Sequence, residues 1–65
     1  MYYTIYTYNR AGEPTIRAHF RDISHNTAVV IESLIRKELR CDTQLLEENN
    51  AGTFQGRIYT PYRGE

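Results

Sequence analysis

Thr15-Ile16-Arg17-Ala18-His19-Phe20-Arg21 is the stretch that decides the fold. Apolar Ile16, Ala18 and Phe20 alternate strictly with Thr15, Arg17, His19 and Arg21, the period of a strand with one face buried and one in water. Such a strand needs a neighbour along its edge and a layer over its apolar face. Upstream, Tyr2 to Tyr8 consists of β-branched and aromatic residues, the types that suit a pleated surface. Between the two runs, Asn9-Arg10-Ala11-Gly12-Glu13-Pro14 gathers turn formers: Gly12 accepts positive φ, and Pro14 cannot donate to a central ladder. Residues 1–21 read as a β-hairpin.

Downstream the period changes. Asp22, Ser24 and Asn26 are competent N-caps, with Ser24 or Asn26 favoured because apolar periodicity begins directly after them. The spacing predicts a helix to about Arg40. At about 100° per residue, Val30, Cys41, Leu34, Ile31, Ile35, Ala28 and Leu39 fall on an apolar half that should face the sheet. Glu32, Arg36, Arg40, Ser33 and Lys37 fall on the polar half. Val29 on the polar side and Glu38 inside the apolar arc break the pattern; Glu38 is expected to reach water from the last turn. Arg36, Lys37 and Arg40 complement the dipole at the helix C-terminus, and could also form a small phosphate patch.

Asp42 closes the helix, and Thr43-Gln44-Leu45-Leu46-Glu47-Glu48 reads as a short strand, the weakest element, entering a turn at Asn49-Asn50-Ala51-Gly52. Glu47-Glu48 reads as a solvated strand end. Thr53 to Thr60 alternates again, with Phe54, Gly56 and Ile58 on one face and Gln55, Arg57 and Tyr59 on the other; Pro61 stops it, and residues 62–65 read as a loose tail. The expectation is an α+β fold, ββαββ: a single antiparallel sheet of three or four strands with one helix packed on one face, all in one small domain spanning 1–65.

Composition narrows the function classes. The chain has 65 residues, with 8 Lys+Arg against 8 Asp+Glu and a formal net charge of zero, which argues against a polyanion mimic or a basic nucleic-acid arm. With 40% hydrophobic and 25% charged residues it should fold, and no apolar run approaches the ~20 residues of a membrane helix. A core this small rarely supplies more than roughly 3–5 kcal/mol of net stability. One cysteine allows no internal disulfide, so association with a partner, a second copy included, is the simplest way to complete the burial. The uncharged N-terminus has no leader pattern and a lone cysteine suits a reducing compartment, so a cytoplasmic location is expected.

The outer sheet face is where function is expected. With Ile16, Ala18, Phe20, Phe54 and Ile58 under the helix, that face receives Arg17, His19, Arg21, Arg57 and Tyr59. Strand one has two registers: Ile5 inside with Tyr3 and Thr7, leaving Tyr2, Tyr6 and Tyr8 outside, or the reverse. The first is favoured because Tyr keeps its hydroxyl solvated while exposed Ile gains nothing. Tyr6, Tyr8, Arg17, His19, Arg21, Arg57 and Tyr59 are thus the candidate binding residues. Tyr and Arg dominate protein interfaces, and the same mixture can stack bases and hold phosphates. The plainer reading is a face that merely keeps the sheet soluble.

Catalytic chemistry is thinly represented. His19 between Arg17 and Arg21, with His25, sketches a metal-independent ribonuclease. Neither histidine has a carboxylate at fixed spacing, and Cys41 reads as a small core or boundary residue. Two histidines and one cysteine lack metal-ligand spacing, so no metal, cofactor or catalytic residue is expected.

Taken as a chain opening at Met1, short, rich in Tyr and Arg and without catalytic motifs, the sequence resembles in type the small accessory proteins that phages and mobile elements encode to bind and block a host machine. That resemblance implies a non-enzymatic protein-binding module, an inhibitor or adaptor whose partner is a larger protein or complex, with RNA or single-stranded DNA as the alternative ligand of the same face and the small ribonuclease third.

Overall fold

The computed structural model describes residues 1–49 and 54–64, of which 54 and 55 are described by backbone alone. The turn expected at Asn50-Ala51-Gly52 and the face expected of the Phe54 and Gln55 side chains lie outside the described residues.

The chain is α+β. Strands β1 (Tyr2–Tyr8) and β2 (Pro14–Arg21) precede helix α1 (His25–Leu39), followed by β3 (Asp42–Glu48) and β4 (Phe54–Thr60). All four strands join one antiparallel sheet in the order β2-β1-β3-β4. In the β1–β2 turn the Asn9 side chain accepts from the backbone N–H groups of Ala11 and Glu13, while Gly12 takes φ 81°. The helix starts where Ser24 accepts from the Thr27 N–H at 3.1 Å. It ends at Arg40, held in the left-handed region at φ 52° and donating to the Arg36 carbonyl. Among the described residues no helix is long and apolar enough to cross a membrane.

The third strand, weakest in the sequence, is central, paired with β1 on one side and β4 on the other. Its Leu45 joins Tyr3, Ile5 and Ala28 in the core, with Ala18, Phe20, Ile23, Ile31 and Ile35 packed around them. Glu47 is accordingly no solvated strand end: it accepts from the Tyr3 hydroxyl at 3.0 Å and lies 3.6 Å from His25. Residue 62 is not a loose tail either, since the Tyr62 N–H donates to Asp42 at 2.9 Å.

Register places Tyr3, Ile5 and Thr7 on the helix side beside Glu47, Leu45 and Thr43. Ile5 is fully buried, so strand one takes the register with Tyr2, Tyr6 and Tyr8 on the outer face. One cross-strand row on the helix side is all threonine: Thr15, Thr7, Thr43, Thr60.

The helix is rotated from the expected orientation. Ala28 and Glu32 are its buried residues, while Val30 and Leu34 of the apolar half are exposed. Glu32, 5% exposed, tolerates burial because Thr43 donates its hydroxyl and Arg36 its guanidinium, at 2.6 Å, to the same carboxylate oxygen. Glu38 is exposed.

Candidate functional site

β2 carries the departure that shapes the site. Ile5 pairs with Ala18 but Tyr6 pairs with Ile16, so Arg17 is an extra residue, a β-bulge. The insertion breaks the strict alternation read from the sequence. Ile16, expected under the helix, shares the outer face with Tyr6 and is 61% exposed. Arg17, expected outside, donates from Nε to Thr7 Oγ1 at 2.8 Å, and Thr7 belongs to the helix-side row. The candidate face therefore gains an isoleucine and loses an arginine.

The remaining candidates, Tyr6, Tyr8, His19, Arg21, Arg57 and Tyr59, lie on the outer face by register, which no helix covers among the described residues. They divide into two halves. At one end Tyr2 stacks on His19, with ring centroids 6.1 Å apart, and the Arg21 guanidinium lies 5.7 Å from the Tyr2 ring centre. His19 Nδ1 shares a 2.8 Å hydrogen bond with Thr4 Oγ1. At the other end Tyr8 and Tyr59 meet edge to face at 5.8 Å, and the Tyr8 hydroxyl donates to Gln44 at 2.5 Å. The Tyr59 hydroxyl donates to Asp42 at 2.5 Å. That bond raises the Tyr59 phenol above its ordinary range, and together with the Tyr62 N–H it holds the Asp42 carboxyl below the usual value.

Between the halves Thr4 and Leu46 pair across the strands and are nearly closed off, Leu46 being only 7% exposed. The side chains around them form a close-set surface held by ring contacts and hydrogen bonds. Ile16, Tyr6, Tyr8 and Tyr59 make it apolar and aromatic at one end; Arg21 and His19 make it basic at the other.

Two charged residues of the face were not among the candidates. Register places Glu48 beside Tyr2 and Asp42 beside Tyr8, so two carboxylates share the face with Arg21 and Arg57. The alternation of β3 against β1 was the signal for them, but it needs the pairing register, which the sequence does not supply. Counting formal charges, two arginines meet two carboxylates and the face is balanced.

The two histidines do not converge. His19 is on the outer face against Thr4, whereas His25 opens α1 and faces Glu47 and the Tyr3 ring on the helix side. Among the described residues, no three His, Cys, Asp or Glu side chains cluster as metal ligands would. Cys41 is half-buried and lines an open cleft with Tyr8, Asn9, Arg10 and Tyr62. Comparison with protein-family models, curated proteins and solved structures finds no match for the chain.

Proposed function

We propose that this chain is a small non-enzymatic protein-binding module, an inhibitor or adaptor of a larger machine of the kind phage and mobile-element accessory proteins target. It binds its partner through the open sheet face, in a cytoplasmic setting. The observation that carries this reading is the aromatic half of that face: Ile16, Tyr6, Tyr8 and Tyr59 present apolar area and phenol groups on a sheet face that nothing covers among the described residues. Large rings with few torsions bind at low entropic cost and dominate interface energetics.

The face supports nucleic-acid binding less well. Its arginines are matched by Glu48 and Asp42, Arg17 has left it, and the Tyr2 ring is already stacked on His19 under Arg21. A surface built for phosphates carries an excess of cations. Separation of His19 from His25 likewise gives no support to a two-histidine ribonuclease.

Affinity capture from lysate of the source cells, with and without nuclease, tests the reading. A partner retained by the native chain after nuclease treatment, and lost by the Tyr6→Ser/Tyr59→Ser variant while Lys37→Ser retains it, is the expected result. Capture that depends on intact nucleic acid, or that the tyrosine variant leaves undiminished, refutes it.

A further inference from the structure

The eight basic residues of the chain divide into two groups. Arg36 is bonded to Glu32, Arg17 is bonded to Thr7, Arg21 lies over the Tyr2 ring, and Arg57 is engaged as well. The other four, Arg10, Lys37, Arg40 and Arg63, are exposed, and among the described residues their side chains make no hydrogen bond or ion pair.

The fold brings these four to one end of the molecule. Arg10, from the β1–β2 turn, and Arg40, from the end of α1, line an open cleft of about 550 Å³ walled by Tyr8, Leu39, Cys41 and Tyr62. Lys37 and Arg63 line a smaller cleft beside it, and Tyr62 belongs to the walls of both. Among the described residues Asp42 is the one carboxylate in either wall, and its two oxygens already accept from the Tyr59 hydroxyl and the Tyr62 N–H. Glu13 and Glu38 are close in sequence but line neither cleft, and Glu13 accepts from the Asn9 amide within its own turn. In a chain of zero net charge, four unbonded cations therefore meet one bonded carboxylate, an excess that the open sheet face lacks.

Helix electrostatics account for only part of this. Lys37 complements the dipole at the C-terminus of α1, but Arg10 and Arg63 come from outside the helix. Arg40 sits at φ 52°, a position that glycine usually fills, so an arginine is kept there at a backbone cost. We infer that this end of the molecule binds an oligophosphate group, at a site that adjoins the open sheet face at Tyr8 and Asp42 but is separate from it. Four positive charges suit a ligand that carries several negative ones in one small group, and three of the four are arginines, whose planar forks match phosphate oxygens. The larger cleft falls within the roughly 300–1,000 Å³ of small-molecule sites, and its tyrosine and leucine wall offers a base a surface to lie on. Free oligophosphate and the phosphate chain of a nucleotide share the chemistry.

Inorganic triphosphate and adenosine triphosphate, each titrated into the ¹⁵N-labelled chain at low ionic strength without divalent metal, separate the two sources. Amide shifts should centre on residues 9–10, 39–42 and 62–63 and saturate at one ligand per chain. Tighter binding of the nucleotide assigns the tyrosine wall to a base; equal affinity assigns the site to oligophosphate alone. Arg40→Gly should weaken both ligands about tenfold while raising the urea midpoint, so that unfolding does not explain the loss. Arg10→Ser should weaken them similarly with the midpoint unchanged, and citrate should bind at least about tenfold more weakly than triphosphate. The inference is overturned by the absence of saturable shifts with either phosphate ligand, by citrate binding as well as triphosphate, by shifts centred on Tyr2, His19 and Arg21, or by affinity that neither variant alters.

Discussion

The buried carboxylate Glu32 supplies the sharpest test of what holds this small fold together. Thr43, with no exposed surface, donates its hydroxyl to Glu32, and Arg36 donates to the same oxygen from one turn along the helix. A hydrogen bond to a charged group contributes about 1.5–3 kcal/mol, and leaving a buried charge under-satisfied costs that full amount. Thr43→Val keeps the shape and β-propensity of the side chain and removes only the donor, so it should cost about 2 kcal/mol. Against the roughly 3–5 kcal/mol that a core of this size rarely exceeds, that is a large part of the stability, and the urea midpoint should fall accordingly. Arg36→Gln should cost less, about 1 kcal/mol, because the arginine is partly exposed and solvent takes over some of its role. Replacing the acid as well, in Glu32→Leu/Thr43→Val, removes donor and acceptor together and should recover most of the loss. Equilibrium urea unfolding of the three variants decides it. A Thr43→Val cost below about 0.5 kcal/mol, the range of ordinary surface changes, would show that Glu32 reaches water and that the network is not what seats the helix.

Ser24→Ala removes the acceptor for the Thr27 N–H and should destabilise by about 1 kcal/mol in the same assay. Arg40→Gly relieves a left-handed backbone position that costs non-glycine residues about 1–2 kcal/mol, and should raise the urea midpoint despite glycine's greater freedom when unfolded. Asp42 titrates below its ordinary 3.8 because the Tyr59 hydroxyl and then the Tyr62 N–H bond its ionised form. Its contribution is therefore complete above that ordinary value and is lost as pH falls through the lower folded value. Tyr59→Phe should move the acid-unfolding midpoint to higher pH, read by circular dichroism. At the alkaline end burial, then the bond to Glu47, raises the Tyr3 phenol, so its contribution is complete below 10.0 and is lost as pH rises through the higher folded value; spectrophotometric titration should show Tyr3 and Tyr59 ionising late, Tyr3 together with unfolding.

Element types and their order were legible in the sequence because each rests on a local signal: period two in Thr15–Arg21, an N-cap before a 3.6-residue period, turn formers between strands. The register of strand one was favoured but not decided by the sequence: Ile5 gains more from burial than a tyrosine whose hydroxyl stays solvated, but tyrosines alternate on both faces. Strand order was not legible, because pairing β3 between β1 and β4 is a long-range choice that local pattern does not record. Glu47 and Glu48 looked like the end of an edge strand for that reason. With the order known, their opposite faces follow: Glu47 under Tyr3 and His25, Glu48 beside Tyr2.

Five displaced residues, Ile16, Arg17, Val30, Glu32 and Leu34, share one physical setting. At the end of the sheet below the C-terminal half of α1, the helix side is floored by threonine hydroxyls rather than by apolar side chains. Thr43 satisfies a carboxylate, which brings Glu32 inward and turns Leu34 and Val30 out. Thr7 accepts from a guanidinium, which draws the exposed Arg17 towards the helix-side row through a one-residue bulge, and the bulge turns Ile16 out. A hydrophobic-periodicity reading assumes that the covered side is uniformly apolar, so it assigns each of these residues to the wrong side. The polar floor thus does more than tolerate buried charge. It exports Ile16 to the open sheet face and Leu34 to the helix flank, the two surfaces on which this chain has apolar area left to bury against something else.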